Sequence, residues 1–453
     1  MTAGSSHRDR VPVQPPSPSL SSVPRPRGLV LSAFRALRYD TTTAGELHAL
    51  TSPPYDVIDA DGVAELEAAS EHNVVRLILP RDTPDSDDRY ARAARTLHDW
   101  RAGGILVPDA EPALYVYEQA SPSGHVQRGL VGALALTPAE DGIVLPHENT
   151  ITRAVDDRLA LYTAVGADLE PIFLVYDGGG AAARAVASAG SEAGPRLVLD
   201  AQLSDGLRHR VWALTDPAVL REVGDDLHPR SALIADGHHR YATYLQRQAA
   251  QHAAGRGPGP WDSGLCFLVD ASAFGPEVHA IHRVVPGLAP AELARRASAG
   301  MAVRALDGDL DAGLSRLQEA GRNGPAFLLA SGDGTGLHLL SEPDPARLAA
   351  VVPPERSPAW AALDVSVLHT LVVTGLWGLP DDVDHVGYAH DVADALAAAT
   401  RTSGSAVLLN PTPVGAVAAV AGAGERMPRK STLFTPKPAT GLLIRDHRDA
   451  TPD

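Results

Sequence analysis

The residues best suited to chemistry fall in a few short segments. In LIADGHHRYATYL (233–245) an apolar strand runs into Asp236 and Gly237, and a helix then opens with His238, His239 and Arg240. Glycine permits the tight turn and Asp236 is placed to cap the helix. The orphan first-turn N–H groups, with the three basic side chains, would then enclose an anion-sized space. That is a phosphate-binding layout; a capped helix with solvent-facing histidines is the alternative. In LPHENTITR (145–153) a strand end is followed by His147, Glu148, Asn149 and Thr150, and then by a helix carrying Arg153. A glutamate beside a histidine at a strand end can serve as general base, which groups Glu148, His147 and His239 as the candidate catalytic residues. The competing view has Asn149 or Thr150 simply capping the helix.

Three further segments carry chemistry of their own. The only two lysines, Lys430 and Lys437, against 37 arginines, both lie in MPRKSTLFTPK (427–437) beside Ser431 and Thr432. Lysine meets a phosphate as a compact point charge, whereas arginine favours a forked partner. The segment reads either as an ordered loop closing over a phosphate or as an exposed loop with solvated charges. SPPYDVI (52–58) presents Tyr55 and Asp56 on a proline-stiffened turn. VHAIHRVV (278–285) alternates as a strand, so His282 or Arg283 can line a pocket or pack in the core. With Tyr55, Asp56, Asn149, Thr150 and Arg153, these two complete the candidate substrate pocket.

The elements that must position these groups alternate between strands and helices. Helices are expected from near Asp61, over 85–104, over 153–169, over 238–253 and, apolar on nearly every face, over 364–378. Strands are expected at NVVRLILP (73–80), at the hairpin ALYVYEQ and HVQRGLVGALAL, and at PIFLVYD, RLVLD, HRVWALT and ALIAD. Such interleaving predicts an α/β to α+β protein with mixed sheets and several lobes. Residues 1–28, rich in Ser, Pro and Arg, read as a disordered tail. Lobes are then expected at 29–140, 141–288 (the phosphate-binding core) and 289–446.

Composition limits the partners. The chain has 453 residues and a formal charge of −16 with no basic block, which argues against nucleic acid. No apolar run reaches the length of a membrane span and no signal core opens the chain, so a cytoplasmic protein is expected. The single cysteine, Cys266, lies in the apolar run GLCFLVDA and reads as a core residue.

Taken together, DGHHRY (236–241), HENT (147–150), SPPYDV (52–57), HRV (282–284) and the C-terminal lysine segment resemble the motif set of a widespread uncharacterised bacterial family, over about 28–446. The DGHHR box is also similar to the signature of the ParB/sulfiredoxin-like superfamily, which includes free-serine kinases. That resemblance implies a nucleotide-phosphate site at the box, formed by Asp236, Gly237, His238, His239 and Arg240, with Glu148 as base and ADP or ATP with Mg²⁺ as cofactors. No helix-turn-helix is evident after the box, which argues against a partition protein. The expected function is phosphoryl transfer to or from a small phosphorylated metabolite, serine or O-phosphoserine, in the kinase or the phosphatase direction. Lys430, Ser431, Thr432 and Lys437 would add to the phosphate site. A nucleotide-sensing protein without turnover is the second reading. A histidine-ligated metal hydrolase is the third, although the spacing does not match HExxH.

Overall fold

The computed structural model describes residues 26–82 and 88–449. Most of the expected tail, residues 1–25, lies outside them. Gly28, assigned to that tail, is buried against the His228 carbonyl, to which Leu29 donates its N–H at 3.2 Å.

A nine-stranded mixed sheet organises the first lobe. Its order is Val144–Leu145, Ala232–Asp236, Ile172–Tyr176, Ser263–Asp270, Val126–Ala135, Leu114–Ala120, Arg208–Leu214 and Arg196–Gln202, with Leu31–Ser32 also paired to Val126–Ala135. Ile172–Tyr176 is buried at every residue and Ser263–Asp270 nearly so, including Cys266. Continuous apolar runs of this kind suit strands covered on both faces. Strands from both sides of residue 140 join this one sheet, so no lobe boundary falls there. The helix Thr152–Val165 packs on one face against His238–Ala253 and Arg89–Ala102.

The second lobe is a six-stranded antiparallel sheet, in the order Met301–Ala305, His338–Pro343, Phe327–Ser331, Ser405–Leu409, His282–Val285 and Gly387–Ala389. A small apolar cluster of its own, with Leu328, Leu408 and Ala395, lies beneath the helices Leu310–Gly321 and Val392–Arg401. After residue 424 the chain returns to the first lobe, where Arg445–Asp446 pairs with Ala167–Asp168. The expected 364–378 helix is buried, but after one α-helical turn it continues as a π-helix over Leu368–Trp377. Among the described residues no helix is long and apolar enough to cross a membrane.

Two expected strands are corrected. NVVRLILP forms a helical turn, Val75–Ile78, because the Asn73 side chain accepts the Val75 N–H at 2.9 Å and donates to the Ala49 and Thr51 carbonyls. VHAIHRVV is not one strand. Glu277–His279 pairs with Leu433–Thr435 of the lysine segment, and the chain then crosses to the second sheet at His282. The helix expected near Asp61 is capped by Asp59, whose carboxylate accepts the Gly62 N–H at 2.8 Å.

Candidate active site

The two segments richest in candidate residues are neighbours because their strands are. Ala232–Asp236 and Val144–Leu145 run parallel, Ala232 opposite Val144 and Leu233 opposite Leu145, so HENT and DGHH leave the same end of the sheet side by side. At the second exit Gly237 takes the left-handed conformation, φ 91°, and starts the helix His238–Ala253. Asp236 does not cap this helix, whose N-cap is Gly237, and it has no side-chain cap among the described residues. Its carboxylate instead pairs with Arg240 one turn on and with Lys437 Nζ at 2.6 Å. A Cβ at Gly237 would lie 3.1 Å from that guanidinium, which folds beneath the turn.

Arg240 is therefore not an open phosphate ligand. It is 1% exposed and also donates to the Pro171 carbonyl at 2.5 Å. Burial disfavours its charge, but Asp236, Glu170 and Asp56 outweigh burial and hold it more firmly protonated than a free arginine.

The histidines differ from expectation in the same way. His238 Nε2 accepts the His147 N–H at 3.2 Å, and His239 Nε2 accepts the Ile151 N–H at 3.0 Å. The pair thus pins both ends of the HENT segment and serves, from another helix, the start of Thr152–Val165 that neither Asn149 nor Thr150 caps. With Nε2 accepting, the His238 proton sits on Nδ1, 3.9 Å from Glu148 Oε2. His147 packs edge to face on His238 at 4.6 Å and meets Thr432 Oγ1 at 3.1 Å. Burial pushes His147 down to about 4 and His238 well below its usual value, and it lowers His239 as well, so the three work as neutral hydrogen-bonding rings. Asn149, Thr150 and Arg153 are exposed on the rim.

The lysine segment closes over this pair of loops. Arg426 donates to the Pro146 carbonyl at 2.9 Å and the Met427 N–H to that of His147 at 2.8 Å, while Gln127 and Gln119 hold the carbonyls of Pro436 and Lys437, each at 2.9 Å. Ser431 is buried with its hydroxyl on Pro428, so Ser431 and Thr432 build the loop instead of facing a ligand. Lys437 is spent on Asp236 and, at 3.7 Å, on Asp56. Lys430 is exposed, has φ 54°, and makes no side-chain ion pair among the described residues.

Glu148 sits among these charges with its side chain 37% exposed. Burial raises its pKa; Lys430 and Lys437 oppose this and Asp236 and Asp56 add to it, leaving it above the ordinary carboxylate value. Asp56 is pushed up by burial, but Arg240 and Lys437 prevail and hold it low. Tyr55 lies under the Arg158 guanidinium at 4.3 Å and is pushed up to about 12 by burial. The fold thus gathers Tyr55, Asp56, His147, Glu148, Asp236, His238, His239, Lys430 and Lys437. His282 and Arg283 belong to the second lobe: His282 Nδ1 accepts the Leu409 N–H at 3.2 Å, and Arg283 is wholly buried.

Glu170 was missed from sequence. Glu170 is fully buried and accepts the Tyr55 N–H at 3.0 Å, and its charge steadies Arg240 and Arg158. The available signal was a glutamate at the mouth of the apolar run PIFLVY. The histidine-metal reading does not fit, because both DGHH rings commit Nε2 to backbone amides. Among the described residues no group of three or more His, Cys, Asp or Glu is arranged to hold a metal ion.

The family model "Protein of unknown function (DUF1015)" matches residues 31–366. Comparison with curated proteins finds no match. Among solved structures, a mutant free serine kinase in complex with ADP aligns over 68% of this chain and 90% of its own, at 13% identity and TM-score 0.33. A free serine kinase in complex with AMP aligns over 75% and 94%, at 14% identity and TM-score 0.33. SbnI with C-terminal truncation, from Staphylococcus aureus, aligns over 71% and 90%, at 9% identity and TM-score 0.33.

Proposed function

The chain belongs to the DUF1015 family, and we propose that it is a phosphoryl-transfer enzyme acting on a small metabolite, serine or O-phosphoserine. One observation carries the reaction class. Two parallel strand ends set a carboxylate of raised pKa, Glu148, beside a helix start without a side-chain cap and within the field of Lys430, a lysine without an ion pair, both among the described residues. Uncapped first-turn amides and an unspent ammonium are what a phosphoryl group needs around its oxygens. The choice of serine rests on the motif resemblance to free-serine kinases.

In the kinase direction Glu148 takes the proton of the substrate hydroxyl as that oxygen attacks phosphorus, and the bond from phosphorus to the donor's bridging oxygen breaks. In the phosphatase direction water is the nucleophile, its proton goes to Glu148, and the bond from phosphorus to the serine oxygen breaks as that oxygen takes the proton back from Glu148. His238 and His239 keep the Glu148 loop in place through the His147 and Ile151 amides. Lys437 binds Asp236 to Asp56 and fixes the floor. If a nucleotide is the donor, Mg²⁺ would neutralise its phosphates, and the half-exposed carboxylates of Asp56 and Glu148 would meet it.

The test is to assay purified protein for phosphate release from O-phosphoserine, and for serine phosphorylation with ADP or ATP and Mg²⁺, against Glu148→Gln. One activity is expected to fall by roughly 10²–10⁴ in the variant, the usual worth of a positioned general base. The proposal is refuted if neither activity exceeds that control. Nucleotide binding with no product in either assay would also refute it.

A further inference from the structure

Arg283 is the largest charged group of the second lobe to be wholly buried, and no carboxylate touches it among the described residues. Its Nε donates to His369 Nε2 at 3.0 Å, its Nη1 to the Ile281 carbonyl at 2.6 Å and its Nη2 to the Lys430 carbonyl at 3.0 Å. His369 in turn faces Asp381 through Nδ1 at 2.7 Å. Because Nε2 accepts from Arg283, the imidazole proton is on Nδ1 and points at Asp381. The chain of bonds thus runs from a half-exposed carboxylate, through a neutral ring and a guanidinium, to the backbone of Lys430.

Two features mark this chain as more than packing. Burying a guanidinium without a carboxylate in contact is costly, and apolar side chains would fill the space without that cost. His369 is also the second residue of the Leu368–Trp377 π-helix, a rare element that recurs at functional sites. What the chain holds is itself unusual. Lys430, at φ 54°, is one of three non-glycine residues with positive φ among the described residues, a conformation that persists only where surrounding bonds impose it. Lys430 is also the foremost charge acting on Glu148.

We propose that Asp381, His369 and Arg283 form a positioning relay through which the second lobe sets the backbone of Lys430 and aims its ammonium into the first-lobe site. This deepens the phosphoryl-transfer proposal and rests on it for the meaning of the site. Neither Arg283 nor His369 touches the reacting groups; both act through Lys430.

The experiment uses the full chain and four variants: His369→Leu, His369→Gln, Lys430→Met and the His369→Leu/Lys430→Met double. MgADP is the probe, titrated by calorimetry, and amide hydrogen exchange is followed over 427–437. His369→Leu, which offers Arg283 no acceptor, is expected to speed exchange at 429–432 and to weaken MgADP by about tenfold, the scale of one charge-assisted hydrogen bond. His369→Gln supplies an acceptor to Arg283 and a donor to Asp381, and is expected to restore both readouts to within about twofold. On the Lys430→Met background His369→Leu should weaken MgADP no further, as coupled residues behave in such a cycle. Wild-type exchange in His369→Leu, no rescue by glutamine, or additive losses of affinity would each overturn the relay. If wild-type protein binds no MgADP, the phosphoryl-transfer proposal loses its nucleotide form, and the exchange pattern still decides the relay.

Discussion

Asp168→Asn is the substitution that most cleanly separates scaffold from site. Asp168 is wholly buried and receives Arg247 Nη1 and Arg445 Nη1, each at 2.8 Å, His447 Nε2 at 3.1 Å and the Leu265 N–H at 3.2 Å. Burial disfavours its charge, but Arg247, His447 and Arg445 overcome that and hold the carboxyl far below its usual range. Asparagine keeps the shape, removes the charge and turns an N–H₂ toward a guanidinium. Removing one partner of a buried pair costs about 3–5 kcal/mol. The low end applies because Arg445 keeps the Pro260 and Ser263 carbonyls, at 3.0 and 3.2 Å, and Arg247 keeps that of Ser263 at 3.4 Å. A loss of about 3 kcal/mol, at roughly 2 °C per kcal/mol for a large domain, lowers Tm by about 6 °C. A folded pKa below the unfolded one gives stability that is present above the unfolded value, near 4, and lost as pH falls through the folded value. The gap to wild type should therefore persist from pH 8 down to pH 5 in paired thermal melts followed by circular dichroism. A variant melting within about 1 °C of wild type at pH 7 would refute the claim that this carboxylate ties the returning C-terminal segment to the first lobe.

Three further outcomes concern the site itself. Glu148, raised by burial, is protonated in the folded protein at a pH where the unfolded chain is already ionised, so its charge destabilises the fold above that range; Glu148→Gln should lose activity by the factor given above yet melt no lower than wild type at pH 7, and a lower Tm would contradict this. The same shift places the acid limb of the kcat/KM profile above the ordinary glutamate value of about 4.3, since a base must be deprotonated, and a limb below about 4 would exclude Glu148 as that base. Gly237→Ala forces a left-handed alanine whose Cβ meets the Arg240 guanidinium at 3.1 Å; a cost of about 1–2 kcal/mol and weaker phosphate binding are expected, and an unchanged Tm would show that the turn relaxes freely.

Much of the scaffold was legible because its signals are local. The 238–253 helix, the 114–135 hairpin and the strands at 172–176 and 232–236 follow from apolar periodicity and from turn residues that need no distant partner. NVVRLILP misled because Asn73 reaches back to two carbonyls more than 20 residues earlier, and those bonds outweigh the strand propensity of valine and isoleucine. VHAIHRVV misled because a strand that leaves one sheet for another keeps its alternation. The returning segment after residue 424, which merges what read as separate lobes, depends on Asp168 and on antiparallel pairing between residues far apart in sequence.

The candidate residues could be picked out from sequence; which of them meet in space, and how each is paired, could not. Charge type is a property of the sequence, but the charge left over for a ligand depends on pairing. Three carboxylates, Asp56, Glu148 and Asp236, stand against Arg240, Lys430 and Lys437, so the site as a whole is balanced, not cationic. Arg240 and Lys437 are consumed by Asp236 and Asp56, and the neutral DGHH histidines grip amides. In the proposed reaction, attraction for an anion then falls to Lys430 and the helix start, while Glu148 keeps the raised pKa that a base requires. In the proposed site a chain of net charge −16 needs no cationic pocket to hold a phosphoryl group: one cation outside an ion pair suffices, and the second lobe reaches the backbone of that residue, Lys430, through Arg283.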